Sequence, residues 1–298
     1  MSLMRPVLNT FLRFFERPHL ARAKTPEILR RSFERKARFW FRAPRETQFV
    51  NDTIDGVPVI WVEGPWARKD SPVILYFHGG GYVFGSARTH QAMLAHLSHF
   101  SGLSACLVDY RLAPDHAFPA ALEDALSVYL EVSQRPGGVV IGGDSAGGGL
   151  ALSLLAETLK HGLKKPLGCF AFSPLTDIEF TGQSVESNRK TDVVLPAERI
   201  DEMAEMYLQG ASPRDPRASP LHARFSDAPP VWIGAGTTEI LLDDTRRMAT
   251  HLREAGVEVT EVIEDDLPHV WPIFHNLLPE ARATLKQVAH WVTSRSGR

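Results

Sequence analysis

Gly143-Asp144-Ser145-Ala146-Gly147 is the stretch whose residue types most directly suggest chemistry. It follows the apolar run Gly138-Val139-Val140-Ile141 and leads into Leu150 to Ala156, which reads as a helix. A serine between a strand and a helix, with glycines two positions to either side, has the pattern of a nucleophile elbow. A serine hydroxyl is a weak nucleophile at neutral pH. The reading therefore demands a base within hydrogen-bond reach, an acid to orient that base and donors for an oxyanion. For a serine on such a turn, the acid and then the histidine come later in the chain.

Of the twelve histidines, His269 is the predicted base, because it follows the last predicted strand in Asp265-Asp266-Leu267-Pro268-His269. Catalytic groups of open parallel sheets gather at the carboxyl ends of strands. Three carboxylates follow the strand-like run Val231 to Gly234: Glu239, Asp243 and Asp244. Glu239 falls in the loop directly after that strand. Asp243 and Asp244 abut a predicted helix, Thr245 to Glu254, where aspartates more naturally cap free N–H groups. Glu239 is the predicted acid and Asp243 the alternative. For the oxyanion, Gly79-Gly80-Gly81 offers backbone that can approach a substrate without side-chain obstruction, and Ala146 supplies the N–H after the nucleophile.

The elements that must position these groups alternate along the chain. Strand-like runs are predicted at Val57 to Trp61, Val73 to Phe77, Ser104 to Val108, Val139 to Ile141, Leu167 to Phe172, Val231 to Gly234 and Val257 to Ile263. Val57, Val59 and Trp61 would share one face, and Pro58, which has no N–H to give a ladder, places that run at an edge. Helical stretches fall between the strands (Thr89 to Phe100, Pro119 to Val132), and a last helix carries Leu285, Val288, Ala289 and Val292 on one face. Such alternation predicts an α/β fold, a mostly parallel sheet with helices on both faces. Residues 4–45 and 181–225 lack strand patterns and are predicted to form a helical cap. Residues 46–180 and 226–298 then form the catalytic domain. Leu8, Phe11, Leu12 and Phe15 recur at helical spacing, predicting a helix docked on its own domain, with a lid or membrane-surface helix as the alternative.

Composition narrows the class. The chain has 298 residues, 44% hydrophobic and 23% charged, with a formal net charge of −2. That charge gives no footing for nucleic-acid binding. Both cysteines sit in apolar runs and read as buried hydrophobes of a reduced, cytoplasmic protein. No apolar run approaches the ~18 to 20 residues of a membrane span, so no stable membrane insertion is expected, and no secretory signal is read. Nothing has metal-ligand spacing, and the glycine runs match neither dinucleotide nor P-loop templates. No metal or cofactor is expected.

The chain resembles the hormone-sensitive-lipase-like branch of α/β-hydrolase esterases (bacterial family IV). The resemblance rests on His78-Gly79-Gly80-Gly81, Asp109-Tyr110-Arg111-Leu112-Ala113-Pro114 and Gly143-Asp144-Ser145-Ala146-Gly147-Gly148, with smaller matches at Ser219-Pro220-Leu221 and around His269. It implies an α/β-hydrolase fold and a carboxylesterase acting on small esters of short to medium chain length. Ser145 would be the nucleophile and His269 the base. Gly80, Gly81 and Ala146 would be oxyanion donors, with Gly79 a further candidate, and His78 and Asp144 would give structural support. The family's acid is most often an aspartate, where this chain has Glu239. Asp109, Arg111 and Asp124 are expected to brace the site, and Phe11, Phe14, Phe15, Met203 and Met206 to line its pocket. The resemblance also leaves open a homodimer, and an amidase or deacetylase with the same triad. It extends to plant gibberellin receptors, non-catalytic proteins that lack the triad histidine; His269 sets this chain apart from them.

Overall fold

A computed structural model of the chain describes residues 2–68 and 70–295. Its strands are β1 (Gln48–Ile54), β2 (Val57–Glu63), β3 (Val73–Phe77), β4 (Ser104–Val108), β5 (Val139–Asp144), β6 (Gly168–Phe172), β7 (Val231–Gly236) and β8 (Val259–Glu264). They form one sheet in the order β1-β2-β4-β3-β5-β6-β7-β8. The β1–β2 and β2–β4 pairs are antiparallel, and every other pair is parallel. The helices are α1 (Met4–Phe11), α2 (Arg17–Arg22), α3 (Pro26–Trp40), α4 (Ala87–Ser101), α5 (Ala120–Val132), α6 (Ala146–Lys160), α7 (Ser184–Ser187), α8 (Ile200–Leu208), α9 (Leu242–Glu254) and α10 (Pro279–Ser294).

The wholly apolar strands are explained by burial on both faces. Alternate residues feed opposite cores. Leu75, Cys106, Ile141 and Ala171 pack on one side with Val128, Leu154 and Leu252 of α5, α6 and α9. Ile74, Tyr76, Val140 and Phe170 pack on the other with Leu94 and Leu97 of α4 and Leu285 and Val288 of α10. Val57, Val59 and Trp61 share the first side as expected, while Ile60 and Val62 face the second.

The structure corrects the edge assignment. β2 is covered by β1, a strand absent from the sequence reading. Six of its seven residues are exposed, so it carries no alternation of buried and polar positions to read. Its signal is the turn: Asp55 and Gly56 both have positive φ, +48° and +81°, as a two-residue hairpin of type I′ requires. Pro58 is tolerated inside β2 because its carbonyl accepts the Asp109 N–H (2.9 Å). Its N–H-lacking side therefore faces away from β1, just past the last β2–β4 pair, Val59 with Val108.

The two strand-poor segments touch each other. Leu8 and Leu12 are buried with Val193, Leu267 and Trp271. Arg13 donates to the Lys190 carbonyl (2.8 Å), and Arg199 to those of Ala21 (2.8 Å) and Ala23 (3.0 Å). Arg30 ties α3 to the sheet domain through the Val83 (2.9 Å) and Ala113 (2.8 Å) carbonyls.

Gly142 in the centre of β5 has a packing cause: a Cβ there would lie 2.3 Å from the Phe170 ring. Gly142→Ala should therefore destabilise the fold by about 1–3 kcal/mol through overpacking. In a urea-unfolding double-mutant cycle, Phe170→Leu should recover part of that loss. Strictly additive losses would show that this contact is not the constraint.

Candidate active site

β5 ends at Asp144 and α6 begins at Ala146, so Ser145 alone makes the turn, with φ +51° and ψ −123°. A non-glycine residue held there costs about 1–3 kcal/mol unless its surroundings over-determine it. Here the Ser145 N–H donates to the Phe172 carbonyl (2.8 Å), and its own carbonyl accepts the N–H of Gly149 (3.0 Å) and Leu175 (2.9 Å). The flanking glycines leave no room for anything larger. A Cβ on Gly143 would sit 2.2 Å from the Gly147 carbonyl oxygen, and one on Gly147 would sit 2.2 Å from that of Phe77.

His269, in the loop after β8, places Nε2 2.9 Å from Ser145 Oγ and Nδ1 2.6 Å from Glu239 Oε2. This pairing assigns the tautomer: Nδ1–H donates to the carboxylate, and Nε2 accepts from the hydroxyl. Burial pushes the His269 pKa down, but the bond and charge of Glu239, aided by Asp192 and Asp144, prevail and raise it above the ordinary imidazole value. Glu239 is buried between β7 and α9. Its Oε1 accepts the Gly236 N–H (2.5 Å) and the Ser173 hydroxyl (2.8 Å). The other two carboxylates lie elsewhere. Asp243 accepts the Ser184 N–H (2.9 Å). Asp244, pushed up to about 7 by burial, accepts the N–H groups of Thr176 and Asp177. Because α9 begins at Leu242, both fall within its first turn.

Three supporting residues went unread in the sequence. Ser173 Oγ accepts the Val270 N–H (3.1 Å) while donating to Glu239, so it ties the acid's loop to the base's. Its position directly after β6 was the available signal. Asn188 donates to the carbonyls of Thr237 (3.0 Å) and Glu239 (2.8 Å). Asp192 accepts the N–H groups of Ile240 (2.9 Å), Val194 and Leu195 (both 2.8 Å). Both lie in the strand-poor stretch, where nothing local marks them.

The glycine loop reaches the same cavity as Ser145. Gly80 and Gly81 have φ of +124° and +59°, and a Cβ on Gly80 would lie 2.1 Å from the Phe84 oxygen. Among the described residues, no backbone acceptor takes the N–H of Gly80, Gly81 or Ala146. His78 underpins the loop. Its Nδ1 meets the Gly79 carbonyl (2.9 Å), and its ring stacks on Tyr110 at 4.3 Å. Burial and the neighbouring His90 push its pKa down to about 4. Asp144 is buried and accepts the Tyr76 hydroxyl (2.7 Å), with His90 Nε2 at 3.3 Å. Burial opposes its charge, yet His90 and Tyr76 hold the carboxyl below its usual range. Arg111 and Asp124 pair at 2.7 Å, whereas Asp109 separately accepts the Ala87 N–H (2.9 Å) at the start of α4.

The cavity has a volume of about 460 Å³, and its wall includes Phe11, Trp40, Met203 and Met206. Phe14 and Phe15, expected in that wall, are instead 67% and 65% exposed. A π-helical turn at Leu12–Glu16 changes the helix phase there, so the stripe that reached Phe15 at ordinary spacing goes astray; Phe14 lay off that stripe. Elsewhere Asp177, Glu179 and His222 bring ligand-type atoms within 4.8 Å of one another. Asp177 already pairs with Arg247 (2.9 Å) and Glu179 with Arg214 (3.0 Å).

A serine on a strand-to-helix turn of an eight-stranded, mostly parallel sheet, with a histidine after the last strand, defines an α/β-hydrolase. A family model described as alpha/beta hydrolase fold matches residues 74–273. An acetyl-hydrolase of Streptomyces hygroscopicus is 35% identical over 234 residues, 78% of each chain. The crystal structure of an esterase from the bacterial hormone-sensitive lipase family superposes with a TM-score of 0.93 at 35% identity, covering 99% of both chains. EstE5, soaked with p-nitrophenyl butyrate, superposes equally well (TM-score 0.93, 34% identity, 100% of both chains). The chain belongs to the hormone-sensitive-lipase-like family of α/β-hydrolase esterases.

A base at His269 must be neutral to accept a proton, so on that reading kcat/KM should fall as pH drops through its pKa. The raised pKa places that midpoint above the usual imidazole value of about 6.5. Glu239→Gln, which removes the main cause, should move the midpoint down in a pH–rate profile. A wild-type acid limb centred well below the usual value would contradict this electrostatic account.

Proposed function

We propose that the chain is a serine carboxylesterase that hydrolyses short- to medium-chain esters through an acyl-enzyme. Ser145 is the nucleophile, His269 the general base and acid, and Glu239 the carboxylate that orients the imidazole. The observation that carries this reading is the continuous relay from Ser145 Oγ to His269 Nε2 (2.9 Å) and from His269 Nδ1 to Glu239 Oε2 (2.6 Å). Ser145 attacks the ester carbonyl as His269 takes its proton, and the imidazolium is stabilised by Glu239. The N–H groups of Gly80, Gly81 and Ala146, in the loop begun by Gly79, hold the oxyanion. His269 then protonates the departing alcohol. Water, activated by the same imidazole, attacks the acyl-enzyme and releases the acid.

In this reading residues 4–45 and 181–225 form a cap over a catalytic domain of residues 46–180 and 226–298. The cap supplies an apolar wall for the acyl group. Each methylene buried there contributes about 0.8 kcal/mol, so kcat/KM should rise with chain length until the cavity is filled. The likeness to EstE5 soaked with a butyrate ester, and to a protein named acetyl-hydrolase, supports the short end of the range.

Ser145→Ala and His269→Ala should each lower turnover of a nitrophenyl ester by about 10⁴-fold or more. Fluorophosphonate labelling that persists on Ser145→Ala would place the nucleophile elsewhere. Glu239→Gln should cost about 10⁴-fold and Asp243→Asn little; the reverse ranking would reassign the acid. A series of nitrophenyl esters with matched amides checks the substrate class, and an amide preference would overturn it.

A further inference from the structure

Nine of the thirteen exposed large apolar side chains among the described residues lie within residues 3–40. Scattered exposed apolar residues are ordinary, but these gather in one short segment of the chain. On α1 the buried Leu8 faces the protein while Met4, Val7 and Phe11 are exposed. The Phe11 ring lies 5.2 Å from Phe15 and 5.9 Å from Trp40, the last residue of the third helix. On α3, Ile28, Arg31, Arg35, Arg38 and Phe39 are all exposed at helical spacing, Phe39 by 72%.

The same segment concentrates positive charge. Residues 4–45 hold 12 of the 33 Lys and Arg but 3 of the 35 Asp and Glu, in a chain whose net charge is −2. Arg31, Arg35 and Arg38 form no ion pair among the described residues, while Arg30 on the opposite face pairs with Asp115. A cationic helix face interleaved with exposed aromatic and aliphatic side chains is the chemistry of a helix lying in a lipid interface. A second copy of this chain would set the same positive face against itself.

We propose that α1 and α3 form a docking face for an anionic lipid surface. The helices lie in the plane of the interface; no described helix is long and apolar enough to cross a membrane. Met4, Val7, Phe11 and Trp40 of these helices are exposed and also belong to the wall of the cavity that contains Ser145. A docked molecule thus offers an apolar path from the interface to the serine. That path bears on catalysis through the esterase reading above; docking itself does not.

The test uses full-length Ser145→Ala protein, which cannot degrade the lipid through the proposed nucleophile, and vesicles of phosphatidylcholine with or without phosphatidylglycerol. The protein should co-sediment with the mixed vesicles alone and be released at high salt, as screening shortens the reach of the charges. Each basic residue near such a surface adds about fivefold to binding. Arg31→Glu/Arg35→Glu/Arg38→Glu should therefore bind at least ~100-fold more weakly. Phe14→Ser/Phe39→Ser should also lose binding. In the Ser145 background of the natural chain, both variants should hydrolyse a soluble short-chain ester unchanged. Protein that stays in the supernatant, or that binds both vesicles equally, overturns the proposal. So does a dimer, seen by sedimentation without vesicles, that Phe14→Ser/Phe39→Ser dissolves. An inactive wild-type enzyme that still binds anionic vesicles would sink the esterase reading and leave docking standing.

Discussion

The absence of a Cβ at Gly143 and Gly147 is the constraint on which the rest of the site depends. With those positions closed to within 2.2 Å of neighbouring backbone oxygens, the chain reverses from β5 into α6 through a single residue. That residue is Ser145, held at positive φ by three backbone hydrogen bonds. The approach has a second consequence. The oxygens crowding Gly147 belong to Phe77 and His78, the end of β3. The packing that demands glycine after the serine therefore also brings the start of α6 beside the loop after β3. Gly80, Gly81 and Ser145 line one cavity because two strands that are neighbours in the sheet end side by side.

Glu239, the carboxylate bonded to His269, fits the short connection after β7. Its Oε1 folds back onto the N–H of Gly236, three residues earlier, and also takes the Ser173 hydroxyl. Oε2 is left for His269. A glutamate loses up to about 2 kcal/mol of rotamer freedom when fixed, and these bonds meet that cost before any substrate arrives. Asp243 and Asp244 are engaged with backbone N–H groups of other segments. They help hold the fold rather than reach the histidine.

Legibility in the sequence followed burial and chain proximity. β3 to β7 were readable because burial on both faces made them short apolar runs, and Ser145, His269 and the glycine loop because each follows a strand end. β1 was missed because an exposed edge needs no apolar alternation, although its Asp55-Gly56 turn announced a hairpin. Ser173, Asn188 and Asp192 are polar loop residues whose roles in the site arise from contacts 48 to 97 positions away in the chain. Phe15 continues the Leu8, Phe11, Leu12 stripe only at ordinary helical spacing, which the π-helical turn at Leu12–Glu16 breaks, and Phe14 never lay on that stripe.

The site also gathers negative charge around one imidazole. Glu239, Asp192 and Asp144 are all buried, and all three favour the protonated form of His269. Burying a carboxylate is costly unless it is hydrogen-bonded. Asp192 has three backbone N–H donors, Glu239 a backbone N–H and a hydroxyl, and Asp144 a tyrosine hydroxyl beside His90. These donors are fixed by the strand ends and by the segment packed over them. A field that favours an imidazolium at His269 is thus fixed by the fold itself, as preorganised electrostatic stabilisation requires. The strand-poor segment that carries Asn188 and Asp192 therefore does more than cover a cavity: it holds the acid's loop against the base.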